Sequence, residues 1–144
     1  MNHIKKGISV IICCYNSSFR LDKTLHALSQ QCCSADLLWE IIIVDNASKD
    51  NTAVIAAEIW EKIDSPTKIK IVYESKQGLG YARRKGVAES SYSFVLFCDD
   101  DNWLATNYVQ SIFDMLDHDP SIAACGGMGI PVFETAEPLK VNLS

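Results

Sequence analysis

The sequence has no excess of basic residues, no long apolar run and no paired cysteine motif. Lys and Arg number 13 against 18 Asp and Glu, a net charge of −5, which gives no whole-chain electrostatic argument for nucleic-acid binding. No apolar run approaches the roughly 18 residues that a membrane span needs. The six cysteines form no C-x-x-C pair, and the two adjacent doublets are a poor geometry for zinc. We therefore expect no nucleic-acid partner and a reduced, cytoplasmic compartment.

The chain is of a size that fits one domain. It has 144 residues, of which 48% are hydrophobic and 22% charged, as in ordinary globular proteins. Residues 1–7 are polar and too short for a signal peptide, and residues 140–144 carry no closing helix or strand signal. No internal repeat or low-complexity linker divides the chain. We expect residues 1–144 to form one domain, cut at its C-terminus from a longer protein.

Apolar runs alternate with helical stripes along the chain. The runs at residues 8–14, 39–44, 69–73 and 94–98 predict strands, with the first central, the third near an edge and the fourth buried on both faces. Apolar spacing predicts helices over residues 21–32, 55–63, 81–90 and 109–116, and residues 122–125 predict a short fifth strand. This alternation predicts an α/β, Rossmann-like, mostly parallel sheet flanked by helices.

Three carboxylates, Asp99, Asp100 and Asp101, follow the fourth predicted strand directly. Ligands of open α/β sheets bind outside the carboxyl ends of the strands. Adjacent carboxylates repel one another, and a hard divalent cation such as Mg²⁺ would relieve that repulsion together with substrate phosphates. The stretch predicts a metal and phosphate site, with a solvated acidic turn as the alternative.

Polar loops also follow the first two predicted strands, and in a parallel sheet they lie at the same edge as the aspartates. Tyr15 can stack on a nucleotide base, and Asp45 can accept a hydrogen bond from a base N–H. The alternatives are simple packing for Tyr15 and a turn or N-cap role for Asp45. Three such loops converging at one edge favour a nucleotide site.

The remaining parts of a nucleotide have partners in the same set. Asp99 and Asp100 can accept from a ribose, and a divalent metal on Asp101 could hold a diphosphate. Arg83 or Arg84 could assist as a cation, with a solvated helix face as the alternative. Only one of the two arginines is expected to point inward, because adjacent residues do not share a helix face.

Four segments carry a family resemblance: residues 9–16 (SVIICCYN), 43–50 (IVDNASKD), 78–86 (GLGYARRKG) and 96–101 (LFCDDD). In order and spacing they resemble glycosyltransferase family 2. The resemblance implies a glycosyltransferase A fold and a nucleotide-sugar donor. It also implies a Mg²⁺ or Mn²⁺ ion and inversion at the anomeric carbon.

The resemblance also implies roles for single residues. It places Tyr15 beside the base and Asp45 at the base-recognising aspartate, with their neighbours Asn16 and Asn46 in the donor site. The three aspartates match a D-x-D element, in which Asp99 contacts ribose, diphosphate or metal, Asp100 the donor, and Asp101 is the metal ligand. Arg83 matches the arginine of the glycine-rich loop, whereas Arg84 stands where the family often has Asn.

No convincing catalytic base follows the D-x-D element. Glu134 and Glu137 are weak candidates, so we expect the base beyond Ser144. The resemblance thus predicts the donor half of an inverting, metal-dependent glycosyltransferase, with a UDP-sugar favoured and a carbohydrate or glycolipid as acceptor. Polysaccharide, lipopolysaccharide or glycoprotein assembly would all fit this activity. The protein could also attach to the cytoplasmic face of a membrane through parts outside this chain.

Three other interpretations of the sequence compete with a glycosyltransferase. A dinucleotide-dependent oxidoreductase should carry G-x-G-x-x-G after the first strand, where this chain has no glycine. A phosphotransferase with an aspartyl nucleophile should carry its aspartates after the first strand. A non-catalytic nucleotide-binding or scaffolding domain of the same fold is the more serious alternative. It would not lose its partner on removal of the Asp101 carboxylate.

Overall fold

A computed structural model describes residues 4–133 of the chain. Four strands alternate with four helices. The strands are β1 (Lys5–Cys14), β2 (Trp39–Asp45), β3 (Lys68–Tyr73) and β4 (Tyr92–Asp99). The helices are α1 (Leu21–Ser29), α2 (Thr52–Ile63), α3 (Leu79–Glu89) and α4 (Tyr108–His118). None of the helices within residues 4–133 has the length and apolar character needed to cross a membrane.

All strand pairs of the sheet are parallel, and the spatial order is β3-β2-β1-β4. The predicted α/β architecture is confirmed, with β1 central and β3 at an edge. The chain moves outward from β1 through β2 to β3 and then returns through α3 to the other side of β1. The gap between the carboxyl ends of β1 and β4 is therefore a topological switch point, where open α/β sheets bind ligands.

Two apolar layers hold the sheet between helices. On one face, α1, α2 and α4 cover β1, β2 and β4. The buried side chains include Leu21, Leu25 and Leu28 from α1 and Trp60 from α2. On the other face α3 covers β1 and β2 through a smaller cluster. Alternate residues of β1 and β2 feed the two layers, which explains their nearly unbroken apolar runs.

Gly86 allows α3 to lie directly on the sheet. A Cβ at this position would overlap the Ile11 side chain and press on Val44. Only a residue without a side chain fits this close approach of helix and strand. The position of α3 matters for function because its N-terminal turn lies beside the carboxyl ends of β1 and β2.

Strand β4 differs from the sequence prediction. It is an outer strand of the described sheet, and only one of its faces is buried. Leu96 and Cys98 face the core, whereas Val95 and Phe97 are 37% and 40% exposed. The physical reason is that α3 packs its buried side chains on β1 and β2 and not on β4 within residues 4–133. An apolar run does not distinguish a covered face from an open one.

Other boundaries also shift. The predicted strand at residues 122–125 is wrong, since residues 122–133 contain no helix or strand. Helix α3 begins at Leu79, two residues before its predicted start, and α1 ends at Ser29, which leaves Cys32 exposed outside it. Glu134 and Glu137 lie outside the described residues.

Candidate functional site

The carboxyl ends of β1, β2 and β4 bring the predicted site residues to one edge of the sheet. In register, Cys14 pairs with Asp45 and Cys13 with Asp99. Tyr15 follows β1 directly, so the tyrosine and the two aspartates stand on adjacent strand ends. The convergence expected from strand order is therefore present.

A cavity of about 190 Å³ opens beside Tyr15. Its lining comes from the end of β1, the start of the β2 loop and the segment leading into α3: Cys13, Cys14, Tyr15, Asn46, Gln77, Gly78, Leu79 and Ala82. The volume is below the roughly 300–1,000 Å³ of a whole ligand site. It therefore suits one flat ring of a larger ligand better than a complete nucleotide sugar.

The thiols beneath this cavity are neutral at physiological pH. Burial raises the pKa of Cys13 to about 11, while the nearby Arg83 charge lowers it and the Asp99 charge raises it. Burial likewise raises the pKa of Cys14 far above its ordinary value. A protonated thiol is a weak nucleophile and a poor metal ligand, so Cys13 contributes a soft apolar wall.

Asn46 supports the cavity wall from inside the protein. It is 4% exposed, and its Nδ2 donates to the carbonyl oxygens of Glu74 at 3.2 Å and Lys76 at 2.7 Å. Its Oδ1 accepts from the Gly78 N–H at 2.7 Å. These bonds hold the 74–78 segment at the mouth of the cavity. In the structure the Asn46 side chain therefore bonds backbone groups of the protein, whereas a contact with the nucleotide-sugar donor was expected.

Asn16 ties the β1 loop to the β2 loop. It adopts a positive φ of 52°, its N–H donates to Ser48 Oγ at 3.0 Å, and its Oδ1 accepts from the Lys49 N–H at 2.8 Å. This residue too is occupied by protein partners. Asp45 accepts from the Ser48 N–H at 3.1 Å through Oδ1, which leaves its second carboxylate oxygen for a ligand.

The three aspartates after β4 separate into two groups. Asp99 and Asp101 are exposed. The Asp100 side chain is only 14% exposed and forms an ion pair with Arg20, whose Nη2 lies 2.9 Å from Oδ2. Ser17 Oγ donates to the same carboxylate oxygen. The structure therefore presents two of the three carboxylates to solvent and turns the middle one toward α1.

The arginines on α3 also differ. The Arg83 guanidinium lies 5.2 Å from the centre of the Phe97 ring, on the open face of β4 and close enough to act on Cys13. Both arginines are exposed, and Arg84, one position further along the helix, points to a different side of it. Arg83 is thus the arginine that the fold brings toward the aspartate turn.

Three residues of this site are not among the predicted ones: Ser17, Arg20 and Thr24. Ser17 and Thr24 are fully buried polar residues, and both bond Asp100. Arg20 and Asp100 are separated by 80 positions in the chain. No local pattern connects residues so far apart, and a run of three acids gives no sign of which one is paired.

The donor set at the turn fits a Mg²⁺ or Mn²⁺ ion that is shared with a ligand. Within residues 4–133 no three His, Cys, Asp or Glu side chains converge into a metal cage of their own. A small hard cation is usually held by one or two carboxylates, waters and substrate phosphates rather than by an all-protein cage. Asp99 and Asp101 supply that number of carboxylates, and carboxylate oxygen is the right donor chemistry.

Known proteins resemble this chain in sequence. The family model described as "Glycosyl transferase family 2" matches residues 9–140. EpsH of Bacillus subtilis is 29% identical over 119 residues, which cover 83% of this chain and 33% of EpsH. A poly-beta-1,6-N-acetyl-D-glucosamine synthase of Staphylococcus aureus is 29% identical over 125 residues, covering 85% of this chain and 28% of the synthase. The chain thus spans about a third of the length of these relatives.

Solved structures resemble it in fold. TarS of S. aureus, in complex with UDP-GlcNAc, superposes with a TM-score of 0.66 at 23% identity, covering 88% of this chain and 37% of TarS. The mannosyltransferase PcManGT of Pyrobaculum calidifontis, in complex with GDP-Man and Mn²⁺, gives 0.66 at 21% identity, covering 82% and 34%. These likenesses establish the glycosyltransferase A fold, and the family model, matched over nearly the whole chain, shows that the chain belongs to glycosyltransferase family 2.

Proposed function

We propose that residues 1–144 form the donor-binding part of an inverting, metal-dependent glycosyltransferase that takes a nucleoside-diphosphate sugar, with UDP-sugar favoured. The observation that carries the proposal is the convergence of an aromatic-walled cavity and two exposed carboxylates at the carboxyl edge of the sheet. Support comes from the family membership and from relatives that are solved with UDP-GlcNAc and with GDP-Man.

The nucleoside would occupy the cavity beside Tyr15. The tyrosine ring offers a flat apolar face to a base, and the free oxygen of Asp45 can accept from a base N–H. Its other oxygen is bonded to the Ser48 N–H, which fixes the plane of the carboxylate. This arrangement selects bases by a hydrogen bond that only an N–H at the right edge can make.

The diphosphate would lie toward the aspartate turn. Asp99 and Asp101 would hold a Mg²⁺ or Mn²⁺ ion, which, when bound, stabilises negative charge on the departing diphosphate. Arg83 can add a charge-assisted hydrogen bond from the other side. Its contact with the Phe97 ring restricts the directions in which the guanidinium can point.

The acceptor side is inferred from chemistry and from the relatives. A sugar hydroxyl is a weak nucleophile and needs a positioned base, which typically contributes 10²–10⁴-fold in rate. We propose that this base lies outside residues 4–133 and that attack opposite the diphosphate inverts the anomeric carbon. Polysaccharide assembly is the favoured setting, because one relative is named as a polysaccharide synthase, and a cytoplasmic location of the donor site is part of the proposal.

A thermal-shift panel tests the donor site. UDP, GDP and TDP are compared, each with Mn²⁺ and with EDTA. A ligand at 100 times its Kd stabilises by about 2.7 kcal/mol, a shift of roughly 5–10 °C for a domain of this size. We expect the shift for UDP with Mn²⁺ and its loss with EDTA. No shift with any diphosphate contradicts the proposal, and a shift that survives both EDTA and Asp101→Ala favours a non-catalytic nucleotide-binding domain.

A further inference from the structure

The strongest polar network outside the proposed ligand contacts is built around Asp100. Its side chain lies between two exposed aspartates but points away from them, with 14% of its surface exposed. Ser17 Oγ and Arg20 Nη2 both bond its Oδ2, and Thr24 Oγ1 donates to its carbonyl oxygen at 2.9 Å. We call these four residues the Asp100 tether: Ser17, Arg20, Thr24 and Asp100.

The tether fixes both the side chain and the backbone of the aspartate turn. Its three partners come from the N-terminal end of α1 and the residues just before it, a rigid part of the fold because α1 is packed in the main core. Ser17 and Thr24 are fully buried. Asp99 and Asp101 flank the tethered residue directly, so the directions of their carboxylates depend on it.

Ser17 also connects the turn to the rest of the site. Its Oγ accepts from the Tyr15 N–H at 3.1 Å while it donates to Asp100. Its own N–H donates to Thr52 Oγ1 at 2.9 Å, at the start of α2. The buried Ser17 hydroxyl thereby links the loops that follow β1 and β4. The Ser17 backbone N–H links them to Thr52, at the end of the loop that follows β2.

The charges at the aspartate turn also favour a divalent cation. Three adjacent carboxylates repel one another, and an Arg20 guanidinium at 2.9 Å from Asp100 compensates the middle one. Asp99 and Asp101 form no ion pair with any cation of residues 4–133, and their two charges are what a divalent cation balances. Partners of this kind, which orient metal ligands without touching the metal, commonly change metal affinity by 10–100-fold when they are removed.

We propose that Ser17 and Arg20 are positioning residues for the cation: through Asp100 they hold Asp99 and Asp101 in the geometry that binds a divalent metal with a nucleoside diphosphate. This role rests on the proposed function. This positioning role differs from a direct contact between Asp100 and the nucleotide-sugar donor, because the Asp100 carboxylate faces α1.

For one substitution, simple electrostatics and the positioning role predict changes of opposite sign in Mn²⁺ affinity. Arg20→Gln removes a positive charge near the cation, and the loss of this Coulomb repulsion alone should tighten Mn²⁺ binding. The positioning role predicts weaker binding, by about 10–100-fold. Lys23→Gln is the matched control, since it removes the same charge at the N-terminal end of α1. The Lys23 ammonium lies over the Trp103 ring at 4.7 Å, and no ion pair joins it to an aspartate within residues 4–133.

The experiment is an electron paramagnetic resonance titration of Mn²⁺ with saturating UDP, in parallel with thermal unfolding. We expect weaker Mn²⁺ binding in Arg20→Gln and Ser17→Ala, partial recovery in Arg20→Lys, and less than twofold change in Lys23→Gln. Should Arg20→Gln fail to unfold cooperatively, Arg20→Lys and Ser17→Ala decide. Unchanged or tighter Mn²⁺ binding in Arg20→Gln and Ser17→Ala overturns the positioning role, even where these variants lower the melting temperature.

The wild type and Asp101→Ala separate this failure from that of the proposed function. Wild-type protein that binds Mn²⁺ with UDP, and loses it on Asp101→Ala, supports the metal site whatever Arg20→Gln does. Wild-type protein that binds no Mn²⁺ in the presence of UDP overturns the metal-dependent function and the positioning role together.

Discussion

The two halves of the site are built differently. Beside Tyr15 the protein forms a walled cavity, and Asn46 braces the wall through three hydrogen bonds. At the turn after β4, Asp99 and Asp101 are exposed, and among the partners within residues 4–133 an ion pair fixes Asp100 alone of the three aspartates. Under the proposed function, we infer from this difference that the nucleoside half is formed in advance, whereas the phosphate half is completed by the cation and the ligand.

The largest expected effect is on the open half. Asp101→Ala should abolish the gain in UDP affinity that Mn²⁺ provides, at least 100-fold, because removal of a residue that only supports a metal ligand already costs about 10–100-fold in metal affinity. Binding of uridine, which lacks phosphates, should change less than twofold. Calorimetric titration of both ligands measures this, and equal losses for UDP and uridine would show that the two halves are not separable.

The next effect is on the walled half. Asn46→Ala leaves three backbone groups of the 74–78 segment without their partner, and we expect a loss of about 2–3 kcal/mol in the free energy of unfolding. Urea denaturation measures it, with the exposed Asn102→Ala as control. Uridine binding should fall as well, while the Mn²⁺-dependent ratio of UDP to uridine affinity stays constant. A changed ratio with unchanged stability would contradict the wall-bracing role.

A smaller effect separates the two arginines of α3. Arg83→Gln should weaken UDP binding about tenfold, as for the loss of one charge-assisted hydrogen bond, because its guanidinium lies on the β4 side of the helix. Arg84→Gln should change it less than twofold. Titrations of the two variants against UDP decide between them, and the reverse ranking would place the diphosphate on the other side of α3.

The smallest effect lies at the far end of α3. Glu89 pairs with Lys70 of β3 at 2.5 Å and with Lys85 at 2.8 Å, and hydrogen bonds from these two lysines lower its pKa from 4.5 to about 2. Because the pKa of Glu89 is lower in the folded than in the unfolded state, its ionised carboxylate stabilises the fold above pH 4.5. This stabilisation is lost as the pH falls toward 2. Glu89→Gln should therefore lower the melting temperature slightly at pH 7 and not at pH 2, with UDP binding unchanged. A difference independent of pH would rule out the ion pairs as its cause.

The sequence predicts the parts of this structure that depend on local pattern. Period and composition predict the four strands and four helices. Chain order then predicts that Tyr15, Asp45 and Asp99 meet at one edge, as strand register confirms. The apolar run of β4 misleads, because it has the same composition whether a helix covers its second face or not.

The sequence does not predict which polar side chains are already used. The side-chain types of Asn16, Asn46 and Asp100 would suit contacts with a ligand. Only the structure shows that these side chains are already hydrogen-bonded within the protein. Those partners lie far along the chain: Arg20 bonds a residue 80 positions away, and Asn46 bonds backbone 28 to 32 positions away. Such pairings are set by tertiary packing, which leaves no periodic trace in the sequence.

The most direct test of a preformed nucleoside half and a cation-completed phosphate half is a four-way calorimetric comparison. UDP and uridine are each titrated into the protein with Mn²⁺ and with EDTA. We predict that Mn²⁺ raises the affinity for UDP by at least about 100-fold and leaves uridine binding, which remains measurable in EDTA, unchanged. Equal dependence of both ligands on Mn²⁺, or no effect of Mn²⁺ on UDP, would contradict it.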